Sequence, residues 1–153
     1  MDVTHSIKCE LACESLLRSG SLRLKVNGWS MIPTIWPGDE LIIKPTLPDE
    51  LVPGKIVVFQ RGANLVAHRL VGRRRRNSQD EQILTRGDAL REVDAPVSTC
   101  DLLGEVGLIF RKGRPIKPAQ RAGSRLAGRV LSRCHVVTRC AAKIWRISRR
   151  VAI

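Results

Sequence analysis

The sequence predicts a mainly β fold, with one short helix ahead of it and a basic helical tail behind it. Three observations lead there. Apolar and polar residues alternate in a series of short runs, glycine and proline punctuate those runs, and helical spacing of apolar residues occurs only near the two ends. With 153 residues, 43% hydrophobic and 27% charged, the chain is long enough to bury a core without disulfides or metals, and its composition excludes wholesale disorder and collagen-like architecture. Aromatic side chains make up 3% of the residues and tyrosine is absent. That argues against a module that reads single-stranded nucleic acid by stacking bases on several exposed rings.

Residues 1–20 form the first unit. Ile7, Leu11 and Leu16 or Leu17 lie near helical spacing over residues 4–19, and Gly20 stands where such a helix stops. Residues 21–110 form the second unit, a β domain. Leu22, Leu24 and Val26 alternate with Arg23 and Lys25, the pattern of a half-buried strand, and further strands are expected over Glu40–Lys44, Lys55–Gln60, Leu65–Gly72, Gln82–Thr85 and Leu102–Phe110. Several short strands with few helices indicate a barrel or coiled sheet. The run Arg73–Arg76, followed by Asn77, Ser78, Gln79 and Asp80, reads as a solvated hairpin loop. Residues 111–153 form the third unit. A linker-like stretch passes through Pro115 and Pro118, and then Leu126, Val130, Cys134, Val137, Ala141 and Ile144 recur every three or four residues among arginines, the pattern of a cationic amphipathic helix.

The formal net charge of +13 resides entirely in that third unit: residues 1–110 hold 14 Lys and Arg against 14 Asp and Glu, whereas residues 111–153 hold 13 basic residues and no acidic one. A neutral body with a cationic end points to a polyanionic partner, and an anionic membrane surface met by residues 119–153 ranks above nucleic acid. No stretch approaches the ~20 apolar residues of a spanning helix, and the acidic, polar N-terminus does not match a signal peptide. The expectation is a cytoplasmic protein or one peripheral on a membrane. The five cysteines, Cys9, Cys13, Cys100, Cys134 and Cys140, are an odd number and suggest a reducing compartment. Neither Cys9 with Cys13 nor Cys134 and His135 with Cys140 has a partner pair at zinc-finger spacing, so no metal and no cofactor is expected.

The segment with chemical content runs from Val26 to Asp39. A strand ends at Gly28, Ser30 sits at the turn, and Pro33 and Pro37 stiffen the chain beyond it before Gly38 and Asp39 start the next strand. A serine in a tight turn after a strand can present its hydroxyl and its own backbone N–H to a cleft, the geometry of a nucleophile with an oxyanion donor. Turn serines are common, so these residues alone leave a plain turn as the alternative.

Gly28-Trp29-Ser30-Met31-Ile32-Pro33-Thr34 with Pro37-Gly38-Asp39 resembles the serine box of type I signal peptidases and of the related self-cleaving repressor peptidases. Three later segments match that superfamily in order: Pro53–Phe59, then Val66-Ala67-His68-Arg69-Leu70-Val71-Gly72 at the box of the general base, then Leu84-Thr85-Arg86-Gly87-Asp88-Ala89 with Asp94, Pro96 and Val97 at the Gly-Asp box. Typical bacterial signal peptidases and the repressors have a lysine where this chain has His68. The endoplasmic-reticulum and archaeal types have histidine, and this sequence is similar to that branch. Imidazole, with an ordinary pKa of about 6.5, accepts a serine proton near neutral pH without the heavy desolvation that lysine needs. Asp94 lies at the offset from Asp88 where the resembling enzymes carry the triad acid, so it is the first candidate to orient His68, and Asp88 is the second. Asp39 reads as structural, and Met31 as either part of a cleft floor or an ordinary core residue. Gly28 departs from the pattern, since those enzymes often place an oxyanion-binding hydroxyl two residues before the serine.

The resemblance therefore implies a signal peptidase-like coiled β-sheet over residues 21–110 and a serine endopeptidase with Ser30, His68, Asp94 and Asp88 at its site. Its partner would be a polypeptide held extended and cut after small residues, as in leader, signal or precursor processing. The alternative is a non-catalytic interaction protein that works through its basic tail. A self-cleaving repressor would need a DNA-binding domain, for which the ~20 residues ahead of the first strand are too few.

Overall fold

A computed structural model of the chain describes residues 3–77 and 80–119. Helix α1 (Val3–Ser19) is followed by eight strands: β1 (Leu22–Lys25), β2 (Glu40–Lys44), β3 (Ile56–Arg61), β4 (Asn64–Asn77), β5 (Asp80–Arg86), β6 (Val97–Ser98), β7 (Leu102–Arg111) and β8 (Arg114–Ile116). They form one antiparallel sheet in the order β1-β2-β7-β3-β4-β5-β6, with β8 also paired to β7. The fold is mainly β, as the alternation of apolar residues implies.

Each face of the sheet carries its own apolar cluster, because successive residues of a strand point to opposite sides. Ile56 and Val58 of β3 face a cluster with Ala12, Leu16, Met31, Ile35, Leu41 and Ile109, whereas Val57 and Phe59 face one with Leu51, Leu70, Ile83 and Val97. Helix α1 lies against β1 and β4 and closes the first cluster. It ends where Gly20, at φ 68°, donates its N–H to the Leu16 carbonyl at 2.9 Å, a turn that glycine makes without Cβ strain.

Three local readings differ from the structure. The buried stripe of α1 runs through Ala12 and Leu16, four residues apart on one helix face, while Leu11 and Leu17 are 57% and 79% exposed; of the expected pair Leu16 docks, and Leu11 does not. Arg73–Arg76 belong to β4, whose register sets Ile83, Gln82 and Glu81 opposite Arg73, Arg74 and Arg75. Gly72 marks an irregularity in that ladder instead of its end, and the ladder's hydrogen bonds hold the arginines extended. The linker-like stretch after Phe110 contains a hairpin. Lys112 and Gly113 both have positive φ, the pattern of a two-residue type I′ turn, and they bring Arg114–Ile116 back onto β7. The amphipathic pattern over 120–153, with Cys134, His135 and Cys140, lies outside the described residues. Among the described residues no helix is long and apolar enough to cross a membrane.

The docking of α1 is testable. Leu16→Ala should cost about 2–4 kcal/mol, as for a buried leucine, whereas Leu17→Ala should stay within about 0.5 kcal/mol of the parent. Urea unfolding of the two variants measures both values.

Candidate active site

The loop between β1 and β2 is closed at its neck. The N–H of Val26 reaches the Asp39 carbonyl at 2.8 Å, and the N–H of Gly38 reaches the Val26 carbonyl at 2.7 Å. Gly38 has φ 94°, so the chain reverses there at no Cβ cost. Inside the neck Ser30 sits in a turn closed by the Ile32 N–H on the Trp29 carbonyl at 3.3 Å, and a second turn follows directly, with the Ile35 N–H bonded to the Met31 carbonyl at 2.9 Å. Met31 and Ile35 are buried in the core beneath it, which assigns Met31 to the core. Ser30 is thus fixed from below by apolar packing.

It is fixed from the side by the connection between β5 and β6. The Ala89 N–H donates to the Ser30 carbonyl at 2.9 Å. A Cβ on Gly87 would lie 2.6 Å from that same carbonyl oxygen, closer than any side chain tolerates, so the approach requires glycine here.

His68 of β4 is 5% exposed. Its Nε2 is 2.9 Å from Ser30 Oγ and its Nδ1 is 2.5 Å from Asp94 Oδ2. An ionised carboxylate only accepts, so the proton on Nδ1 faces Asp94 and the lone pair on Nε2 faces the serine hydroxyl. Phe59 packs edge-on against the imidazole, with centroids 6.2 Å apart. Asp94 also accepts from Thr85 Oγ1 at 2.7 Å, its N–H bonds the Thr85 carbonyl, and Arg61 stands 3.4 Å from Oδ1. Burial pushes the Asp94 carboxyl up, but the hydrogen bonds from His68 and Thr85 and the charges of His68 and Arg61 outweigh it and hold the group below its ordinary value.

Asp88 lies on the other side of the turn and does not meet His68. Arg69 Nε and Nη2 donate to its two oxygens at 2.7 Å each, and the Thr34 hydroxyl donates to Oδ2 at 2.5 Å. A planar guanidinium matches both oxygens of one carboxylate, so Asp88 is a brace for the Ser30 loop rather than a partner of the imidazole. Arg69 also reaches the carbonyls of Gly54 and Ala119. Asp39 is buried and paired with Arg111, consistent with its structural reading.

A family model described as Peptidase S24-like matches residues 5–84, more than half of the chain and including both Ser30 and His68. The chain belongs to the Peptidase S24-like family. None of the curated proteins compared with it matches. Asp88 and Asp94 lie beyond the S24-like match, and their hydrogen bonds to Arg69 and His68 are what relate them to the residues inside it. Arg61 and Arg111 lie outside the motif segments, and Thr34 and Thr85 lie inside them without a role assigned from the sequence. Thr85 alone had a local hint, as a polar residue whose alternation places it inward on β5.

Two measurements test this S24-like site. The folded pKa of Asp94 is lower than its unfolded value of about 3.9, so its contribution to stability is complete above about pH 4 and is lost as pH falls through the lower folded value. Asp94→Asn should flatten that part of the acid limb in urea midpoints measured against pH. Asp88→Asn leaves Arg69 buried without its charge partner and should cost on the order of 3–5 kcal/mol, read by the same unfolding curves at pH 7.

Proposed function

We propose that this S24-like chain is a serine endopeptidase of the histidine-using type. The observation that carries the reading is the continuous hydrogen-bonded line from Ser30 Oγ through the His68 ring to Asp94. Nε2 takes the hydroxyl proton as Oγ attacks the scissile carbonyl carbon, and the same nitrogen returns the proton to the leaving amine. Water, deprotonated by the imidazole, then cleaves the acyl-enzyme. Asp94 keeps the ring in the tautomer that leaves Nε2 free and stabilises the imidazolium that forms at each step. The Ser30 N–H is assigned to the oxyanion, with a polypeptide substrate running extended past the loop and small residues preceding the cut, an assignment that rests on the resemblance to signal peptidases.

Ser30→Ala and His68→Ala should each abolish nearly all cleavage of a quenched peptide library, and the double variant should be little worse, because the two act as one unit. A Ser30→Ala protein that still cuts would exclude the mechanism. Asp94→Asn should lower kcat by up to about 10⁴ while keeping the fold, because the imidazole is no longer held in the tautomer that leaves Nε2 free. Gly28 offers a gain. A Cβ there meets nothing within 4 Å, so Gly28→Ser adds a hydroxyl without collision and should raise kcat by about tenfold if it reaches the oxyanion. Steady-state kinetics of that variant measures the effect.

A further inference from the structure

The loop that carries Ser30 is held a second time, from the far end of β7. Arg111 Nε donates to Asp39 Oδ1 at 3.0 Å and Nη2 to Asp39 Oδ2 at 2.7 Å, while Nη2 also donates to the Thr34 carbonyl at 3.0 Å. Asp39 Oδ2 in turn accepts the Trp36 N–H at 2.8 Å. One guanidinium therefore spans both limbs of the loop, at residue 34 on the way out and at residue 39 on the way back.

Thr34 is where the two holds meet. Its hydroxyl donates to Asp88 and accepts from Arg69, and its carbonyl accepts from Arg111. The Ile35 to Met31 and Ile32 to Trp29 hydrogen bonds make residues 29–35 two overlapping turns, so a displacement of Thr34 is carried back to Ser30. An exposed arginine–aspartate pair usually contributes little. This aspartate is 3% exposed, and while Nη2 serves both the carboxylate and the Thr34 carbonyl, Nε holds the second carboxylate oxygen, a two-nitrogen grip that the planar fork of arginine provides and the single nitrogen of a lysine does not.

We propose that Arg111 is a positioning residue for Ser30: by bridging Asp39 and the Thr34 carbonyl it holds the turn that keeps Oγ at His68 Nε2. This rests on the serine peptidase reading, and a shift of the nucleophile of about 1 Å is enough to lower the rate a hundredfold.

The test compares the wild type with Arg111→Lys and Arg111→Gln on the best-cut member of a quenched peptide library, with thermal melts and amide hydrogen exchange of the Trp36 N–H alongside. Both variants should lose about tenfold to a hundredfold in kcat with KM unchanged. Arg111→Lys should keep the melting temperature of the parent, since an ammonium still pairs with Asp39, and Trp36 should exchange faster in both variants. A wild-type kcat in Arg111→Lys would overturn the proposal. So would a kcat that falls only in step with the melting temperature while Trp36 exchange stays unchanged. A wild type that cuts no peptide counts against the peptidase reading instead, and Trp36 exchange then decides alone whether Arg111 holds the loop.

Discussion

The bond between the Ala89 N–H and the Ser30 carbonyl is the contact on which the site depends. A reactive constellation has to hold its groups to within about 0.5 Å, and a surface loop such as Val26–Asp39 does not do so by itself. Here the carbonyl of the serine is seated on the connection between β5 and β6, at a point where only glycine leaves room. From that seat the connection sends Asp88 to Arg69 and Asp94 to His68. Two carboxylates six residues apart thus serve two side chains that are neighbours on β4, and all of them are referred to one backbone oxygen.

This arrangement takes charge out of water, and each of the three carboxylates around the serine loop is matched. Asp39 has Arg111, Asp88 has Arg69, and Asp94 has His68, Thr85 and Arg61. Such pairs seldom stabilise a fold beyond what apolar residues of similar volume would, because desolvation cancels much of the attraction. Their contribution is definition. A loop packed by leucines alone has several acceptable positions, whereas a bidentate ion pair has one.

The parts of this design that depend on local period were legible in the sequence. Leu22–Val26, Glu40–Lys44 and Lys55–Gln60 alternate plainly, and the strands lie there within a residue or two. Arg73–Arg76 hid their strand because four identical side chains have no alternation to read, although the backbone ladder with β5 does not depend on it. Lys112 and Gly113 marked a hairpin, but the prolines beside them read as a linker. Ser30 and His68 stood out through their motifs. Asp94 ranks ahead of Asp88 through its offset in the resembling enzymes, whereas local pattern alone does not separate the two, since both follow the same strand and only the direction of the turn sends one to the imidazole and the other to the guanidinium. Arg111 gave no sign at all, since its aspartate is 72 residues away.

The alternation of β4 makes His68 and Arg69 a parity check on assembly. The hairpin between β3 and β4 pairs Val57 with His68 and Ile56 with Arg69. A slip of one residue would exchange the faces of these two neighbours. The guanidinium, which cannot accept a proton, would then confront the serine, and the imidazole would confront a carboxylate shaped for a fork. The misaligned chain would lose the line from Ser30 through His68 to Asp94, and it would also bury ions without counterparts and be rejected on energetic grounds. The geometry around Ser30 and correct strand alignment are therefore certified by the same pair of adjacent residues.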